Sequence, residues 1–215
     1  MILGGRNRKF LYISNMTKRP PIPVLPCYDD LIASEAYAWK MIVDGVKDRR
    51  ADFHTPTVAT IDLNGAPNLR TIVLRACDAD ARQLRFHTDT RSTKIREIET
   101  NPRGAIHLYD RDKKIQIRLQ VKLTLANTET TTQAWDRTQA MSRECYQVTL
   151  PPGQHIQVPD EAQFDPSATQ DGWDHFQPVI ATVETLEWLY LVAKGHRRAR
   201  FDYSSDSATH TWLVP

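Results

Sequence analysis

The clearest periodic stretch begins near Asp29 and Asp30. From there Ile32, Ala36, Trp39, Val43 and Val46 recur at alternating four- and three-residue steps, the spacing of one helix face. The two aspartates fall where carboxylates suit the positive end of a helix. After residue 56 the period drops to two. Residues 57–63 alternate, Asn64-Gly65 supplies residues that tolerate positive φ, and residues 69–75 return, which predicts a β-hairpin. Residues 84–88 read as a third strand, and 91–99 as a helix closed by Asn101-Pro102. Residues 105–109 and 114–125 read as strands around the polar turn Asp110-Arg-Asp-Lys, and 129 to about 148 as a second long helix. Residues 150–176, rich in Pro, Gly, Asp and Gln, predict a long surface loop of the kind that is functional or mobile. Strands return at 179–183, 187–192, 197–203 and 209–214. Short strands with inserted helices predict a mainly β, α+β fold: a small antiparallel barrel with helical decorations. No internal repeat and no low-complexity tract is visible.

The chain has 215 residues, the size of one domain with appendages. Residues 28–215 are expected to form that domain. Residues 1–27, with four prolines in KRPPIPVLP, are expected to form an irregular extension, and Met1 and Met16 both stand as candidate starts. A hydrophobic content of 40% supplies a core and excludes a wholly disordered chain. The net charge of +2 argues against a nucleic-acid coat. No apolar run approaches the ~20 residues needed to cross a bilayer, and residues 1–16 hold no apolar core with a small-residue cleavage site, so no secretory signal is expected. Cys27, Cys77 and Cys145 are odd in number and far apart, which suits reduced thiols. A cytoplasmic protein that binds neither membrane nor nucleic acid is expected.

Several chemistries lack their residues. There is no GxGxxG, Walker A, GxSxG or HExxH, and no two of the seven histidines have metal-ligand spacing. Cations and donors concentrate instead in three places. Arg70 and Arg75 bracket an apolar strand, and Ser92, Thr93 and Lys94 open a predicted helix, where free N–H groups favour an anion. Charge plus several donors is what a phosphate monoester needs. Period two puts Arg70 and Arg75 on opposite faces, so both reach one ligand only if the strand twists, ends or bulges. On 114–125, Gln116, Arg118 and Gln120 share the polar face, and an amide there could meet a heteroaromatic edge. His196, Arg198 and Arg200 share a face of the next-to-last strand. Taken singly, each of these also reads as an ordinary N-cap, strand end or solvated edge strand.

In order and spacing, Arg70-Thr-Ile-Val-Leu-Arg75, Leu84-Arg-Phe-His-Thr88, Ser92-Thr-Lys94, Asn101-Pro-Arg103, Gln116-Ile-Arg-Leu, Leu186-Glu-Trp188, Arg198-Ala-Arg200-Phe and Leu213-Val-Pro215 resemble the pyridoxamine 5′-phosphate oxidase-related family of flavin mononucleotide (FMN)-binding split barrels. The resemblance implies an antiparallel, Greek-key-like split barrel and a homodimer with FMN at the subunit interface. It implies that Arg70 and Lys94, with Ser92 and Thr93, meet the FMN phosphate. Thr71, Ile72, Val73, Leu74, His87 and Thr88 would line the flavin, Gln116 would bond the ring, and Arg200 would sit at its pyrimidine side. Arg75 would face both flavin and substrate. Arg143, His196 and Arg198 would serve the substrate, and Gln154 would reach FMN from the long loop. The implied reaction is hydride transfer from a small molecule to flavin N5 with reoxidation by dioxygen, a phosphorylated B6 vitamer being one candidate substrate. Two alternatives stand beside it: a barrel that binds flavin without turnover, and an FMN reductase-like barrel using a nicotinamide donor. The sequence departs from the family at Thr93, where arginine is common, at Leu189, near a frequent tryptophan, and at His196-x-Arg198, where the family's Arg-x-His is exchanged.

Overall fold

The computed structural model describes residues 24–162, 172–205 and 207–215. The expected extension 1–27 and loop 150–176 therefore lie partly outside the described residues. Helix α1 (Leu31–Lys47) starts where the period predicts, and the Asp30 carboxylate accepts from the Ala33 N–H as its N-cap. The hairpin follows as β1 (Thr57–Ile61) and β2 (Pro67–Thr71), with Gly65 at φ 87° in the turn. Then come β3 (Leu74–Asp78), β4 (Gln83–Asp89), α2 (Thr93–Thr100), β5 (Arg103–Asp110) and β6 (Ile115–Leu125). Helices α3 (Thr128–Asp136) and α4 (Ala140–Arg143) lead to β7 (Phe176–Tyr190), β8 (Arg197–Asp202) and β9 (Thr209–Leu213).

All pairings are antiparallel. The sheet runs β2-β1-β5-β6-β7-β4-β3, with β8 joining β7 to β9. The expected single strand 69–75 is two strands at opposite ends of that path, linked only by Ile72 and Val73. Two residues can bridge the ends of a sheet only if it curls round on itself, so this break closes the barrel while leaving it split. The neighbours β1/β5 and β4/β7 are the crossovers of the Greek-key-like connectivity.

Strand β7 corrects a second expectation, since 179–183 and most of 187–192 belong to one strand, which ends at Tyr190. Val179, Ala181 and Val183 are buried, then Leu186, Trp188 and Tyr190. The register with β6 slips at Glu184, so the inward phase changes by one residue. That bulge imitates a strand end in the sequence. The Glu184 carbonyl instead accepts from the Tyr203 N–H at 2.8 Å.

The expected long helix 129–148 is also interrupted. The Arg143 guanidinium donates to the carbonyls of Trp135 (2.6 Å) and Thr138 (3.0 Å) and lies over the Trp135 ring. It thus satisfies acceptors that a continuing helix would have used. The main core fills the barrel, with Phe86, Ile117, Trp188 and Phe201 fully enclosed. A satellite of Ala134, Trp135 and Phe176 docks α3 on β7. Helix α1 is fastened by Trp39 Nε1, which donates to the Tyr203 hydroxyl (3.1 Å), and that hydroxyl donates to Glu35 (2.7 Å).

Candidate functional site

The residues singled out in the sequence fall into three neighbourhoods. The first is a cationic cradle at the start of α2. Ser92 is its N-cap but gives no side-chain bond to the helix backbone. Its hydroxyl accepts from Lys94 Nζ at 2.7 Å, and Thr88 Oγ1 accepts from the same ammonium at 2.9 Å. Ser92 and Thr88 are buried. Burial, then the Arg70 charge, pull Lys94 below the ordinary lysine range, against the pull of Glu97 and Asp89. Lys94 thus holds two hydroxyls and makes no ion pair among the described residues.

Arg70 differs. From β2 it donates to Thr60 and, at 3.1 Å, to Glu97, which also accepts from Asn68 at 2.8 Å and from Thr60. Glu97 is 4% exposed. Burial alone would raise its carboxyl, but the bonds from Thr60 and Asn68 and the Arg70 charge together hold it below the usual value. Glu97 was not singled out in the sequence, because nothing in an i+3 spacing from Lys94 shows that it meets a strand three elements back. Thr93 opens α2 with an exposed side chain. Neighbouring Arg91 is committed to Asp89 (2.7 Å) and to the carbonyls of Val148 and Thr149.

The second neighbourhood lies across β4. His87 and Thr88 alternate, so only Thr88 faces the cradle. His87 packs edge-on to Phe176 at 4.7 Å between ring centres, and its Nε2 is buried without a partner. Desolvation, then the charges of Arg85 and Arg75, lower its pKa to about 3, so it is neutral. Arg75 is the extra residue in a register shift between Leu74 and Ala76, and the break at Ile72 and Val73 puts it on a different strand from Arg70, so the period-two relation does not apply to the pair. Leu74 and Ile72 point into the core, so of Thr71, Ile72, Val73 and Leu74 the two buried side chains are structural, and their contribution to a ligand would be backbone. Arg75 and His87 line a cavity of about 400 Å³.

The third neighbourhood is the outer face of β6–β8. Gln116 Oε1 is 3.3 Å from His107 Nε2. Arg198 donates to Glu187 at 2.7 Å, and Glu187 also pairs with Arg118. Arg200 reaches Asp202 at 3.2 Å. His196 precedes β8 and is exposed, and with Arg198 it borders a shallow pocket beside Trp212 and Pro215. Gln154 is exposed on the loop. Arg143 gives its guanidinium to the carbonyls of Trp135 and Thr138 and to the Trp135 ring.

A family model described as "Pyridoxamine 5′-phosphate oxidase, FMN-binding domain" matches residues 36–127, which carry the cradle, β3, β4 and Gln116. Over these residues the chain matches the pyridoxamine 5′-phosphate oxidase FMN-binding family. It is similar to the pyridoxine/pyridoxamine 5′-phosphate oxidase of Xanthomonas campestris pv. campestris strain 8004. The two are 29% identical over 174 residues, covering 72% of this chain and 81% of that protein. It is also similar to the pyridoxine/pyridoxamine 5′-phosphate oxidase 2 of Arabidopsis thaliana, 28% identical over 60% of this chain and 72% of the relative. Among solved structures, a pyridoxamine 5′-phosphate oxidase-related, FMN-binding protein from Nostoc punctiforme matches with a TM-score of 0.65 at 23% identity, over 90% of this chain and all (100%) of that one. PhzG from Burkholderia lata matches with a TM-score of 0.69 at 18% identity, over 90% of this chain and 98% of that one. These likenesses show the split-barrel fold.

Proposed function

We propose that the protein is an FMN-dependent oxidoreductase that acts on a small anionic substrate. The observation that carries this reading is Lys94: a half-buried ammonium, held by two hydroxyls beside Arg70, with no carboxylate joined to it among the described residues. Such a charge is costly to leave uncompensated, and a phosphate monoester supplies the missing partner. The donor set therefore fits the FMN phosphate, with Arg70, Thr88, Ser92 and Lys94 as its holders. FMN, when bound, supplies a two-electron acceptor that the side chains lack.

The chain's own part is placement and charge. The Glu97 carboxylate fixes the Arg70 guanidinium from behind. Arg75, re-aimed by its bulge, and neutral His87 stand on the other side of β4, where a substrate would have to lie. Gln116 and Arg200 sit on the outer sheet face. Leu69 (60% exposed) and Tyr109 (38% exposed) stand on the same side of this sheet, on β2 and β5. Apolar groups there support a second copy of the chain as partner, one that would bring the outer-face residues to the flavin of its neighbour.

The test uses purified protein. FMN added to the flavin-free form should bind and acquire a protein-bound visible spectrum, and the protein should run as a dimer in light scattering. Steady peroxide release with pyridoxamine 5′-phosphate selects the vitamer oxidase. Flavin binding without turnover on that substrate leaves an oxidoreductase of other substrate or a flavin binder, and absence of flavin binding overturns the reading.

A further inference from the structure

The cavity of about 400 Å³ is assembled from distant parts of the chain. Val46 and Arg49 come from the end of α1 and the turn after it. Arg75 and Cys77 come from β3, Arg85 and His87 from β4, and Arg137 and Gln139 from the junction of α3 and α4. Its charge is one-sided. Four arginines, Arg49, Arg75, Arg85 and Arg137, line it, and among the described residues no aspartate or glutamate does.

None of the four makes an ion pair among the described residues. Arg49 gives one bond, to Gln139 Oε1 at 3.1 Å. Arg85 is the most telling, because its Nε is buried without a hydrogen-bond partner among the described residues. Desolvation and the neighbouring Arg137 charge both weigh against its guanidinium. Four like charges converging without counter-charge are unfavourable unless an anion joins them. His87 is neutral, so the positive charge comes from the guanidinium groups alone. Val46, Leu74 and Ala134 supply apolar wall between the charged groups, which suits a compact ring or short carbon frame.

One phosphate takes up two charges and is commonly met by one or two guanidinium groups. Four on three separate walls exceed that. We propose that this cavity is the substrate pocket and that its substrate carries two separate anionic groups on one small frame, a phosphate or carboxylate at each end, with Arg49 and Arg85 selecting the second group. This rests on the reading that an anionic substrate is oxidised beside FMN, and it narrows that substrate to doubly anionic molecules.

The test compares two probes that differ by one carboxylate, phenyl phosphate and 4-carboxyphenyl phosphate, by calorimetric titration at fixed ionic strength. Both the FMN-loaded and the flavin-free protein are titrated. The carboxylated probe should bind roughly tenfold more tightly, the size of one charged hydrogen-bonded contact. Arg49→Gln and Arg85→Gln should each bring the two probes to near-equal affinity. Lys47→Gln, which removes a charge from the same helix outside the cavity, should leave the preference intact. Arg49 is exposed, so its variant carries the test even if Arg85→Gln folds poorly. Equal binding of the probes to the wild-type protein overturns the proposal. So does a preference that survives in Arg49→Gln, or displacement of FMN by the carboxylated probe. A preference seen in protein that takes up no FMN supports the pocket and overturns the flavoenzyme reading alone, so the two failures are distinct.

Discussion

At the scale of single residues, Lys94 and Arg70 look alike in the sequence, and the structure separates them. Arg70 is paired with buried Glu97, whereas Lys94 holds only hydroxyls. Their replacement should therefore differ in sign on the flavin-free protein. Lys94→Met should weaken FMN binding by roughly 1.5–3 kcal/mol, the range for a charged hydrogen bond, and raise the melting temperature of the flavin-free protein, because a desolvated charge disappears. Arg70→Met should weaken FMN binding and also lower that melting temperature, since it strands the Glu97 carboxylate. Titration with FMN and melting curves of both variants check this. A fall in flavin-free stability for Lys94→Met would show that its ammonium is already compensated. Residue identity made the cradle legible from sequence, because Ser-Thr-Lys before a helical period names a donor cluster. The pairing of Arg70 with Glu97 was not legible, since it depends on α2 packing against the first hairpin.

At the scale of elements, alternation was readable where it was unbroken. Strand β6 and the Asn64-Gly65 hairpin came out as the sequence suggests. Two places defeated the pattern for opposite reasons. Arg70-Thr-Ile-Val-Leu-Arg75 is an apolar run without a break signal, yet the chain leaves one end of the sheet and joins the other at Ile72 and Val73. Around Glu184 the pattern does break, yet the strand continues through a bulge. The cavity's arginines lie on four such elements, so only the folded chain brings them together. The wall that carries Arg49 rests on the close approach of α1 to the turn Asp52–His54. A Cβ on Gly45 would stand 2.8 Å from Phe53 Cβ and 2.9 Å from its carbonyl carbon, too close for backbone to yield cheaply. Gly45→Ala should therefore destabilise the protein by roughly 1–3 kcal/mol, despite the better helix propensity of alanine. Urea unfolding measures this, and a gain in stability would mean that α1 can shift.

At the scale of the whole molecule, the half-buried neutral His87 ties stability to pH. Its folded pKa of about 3 lies below the ordinary 6.5, so between these values the unfolded chain binds the extra proton. Stability should be full above about pH 6.5 and fall as pH drops towards 3. The lowered Glu97 carboxyl adds a loss of the same sign, confined to the region below its ordinary value of 4.5. The slope between about 6.5 and 4.5 thus reports His87. In His87→Phe, which keeps a ring against Phe176, denaturant midpoints should vary much less over that interval. A slope equal to wild type would place the titrating group elsewhere.

Strand β7 touches three others: β6 along most of its length, β4 through its first half and β8 through its second. A strand shared by β6, β4 and β8 leaves none of them a private route to opening. The slowest-exchanging amides should therefore cluster on this one spine, and cutting the chain ahead of Phe176 should yield two fragments that are each structureless until mixed.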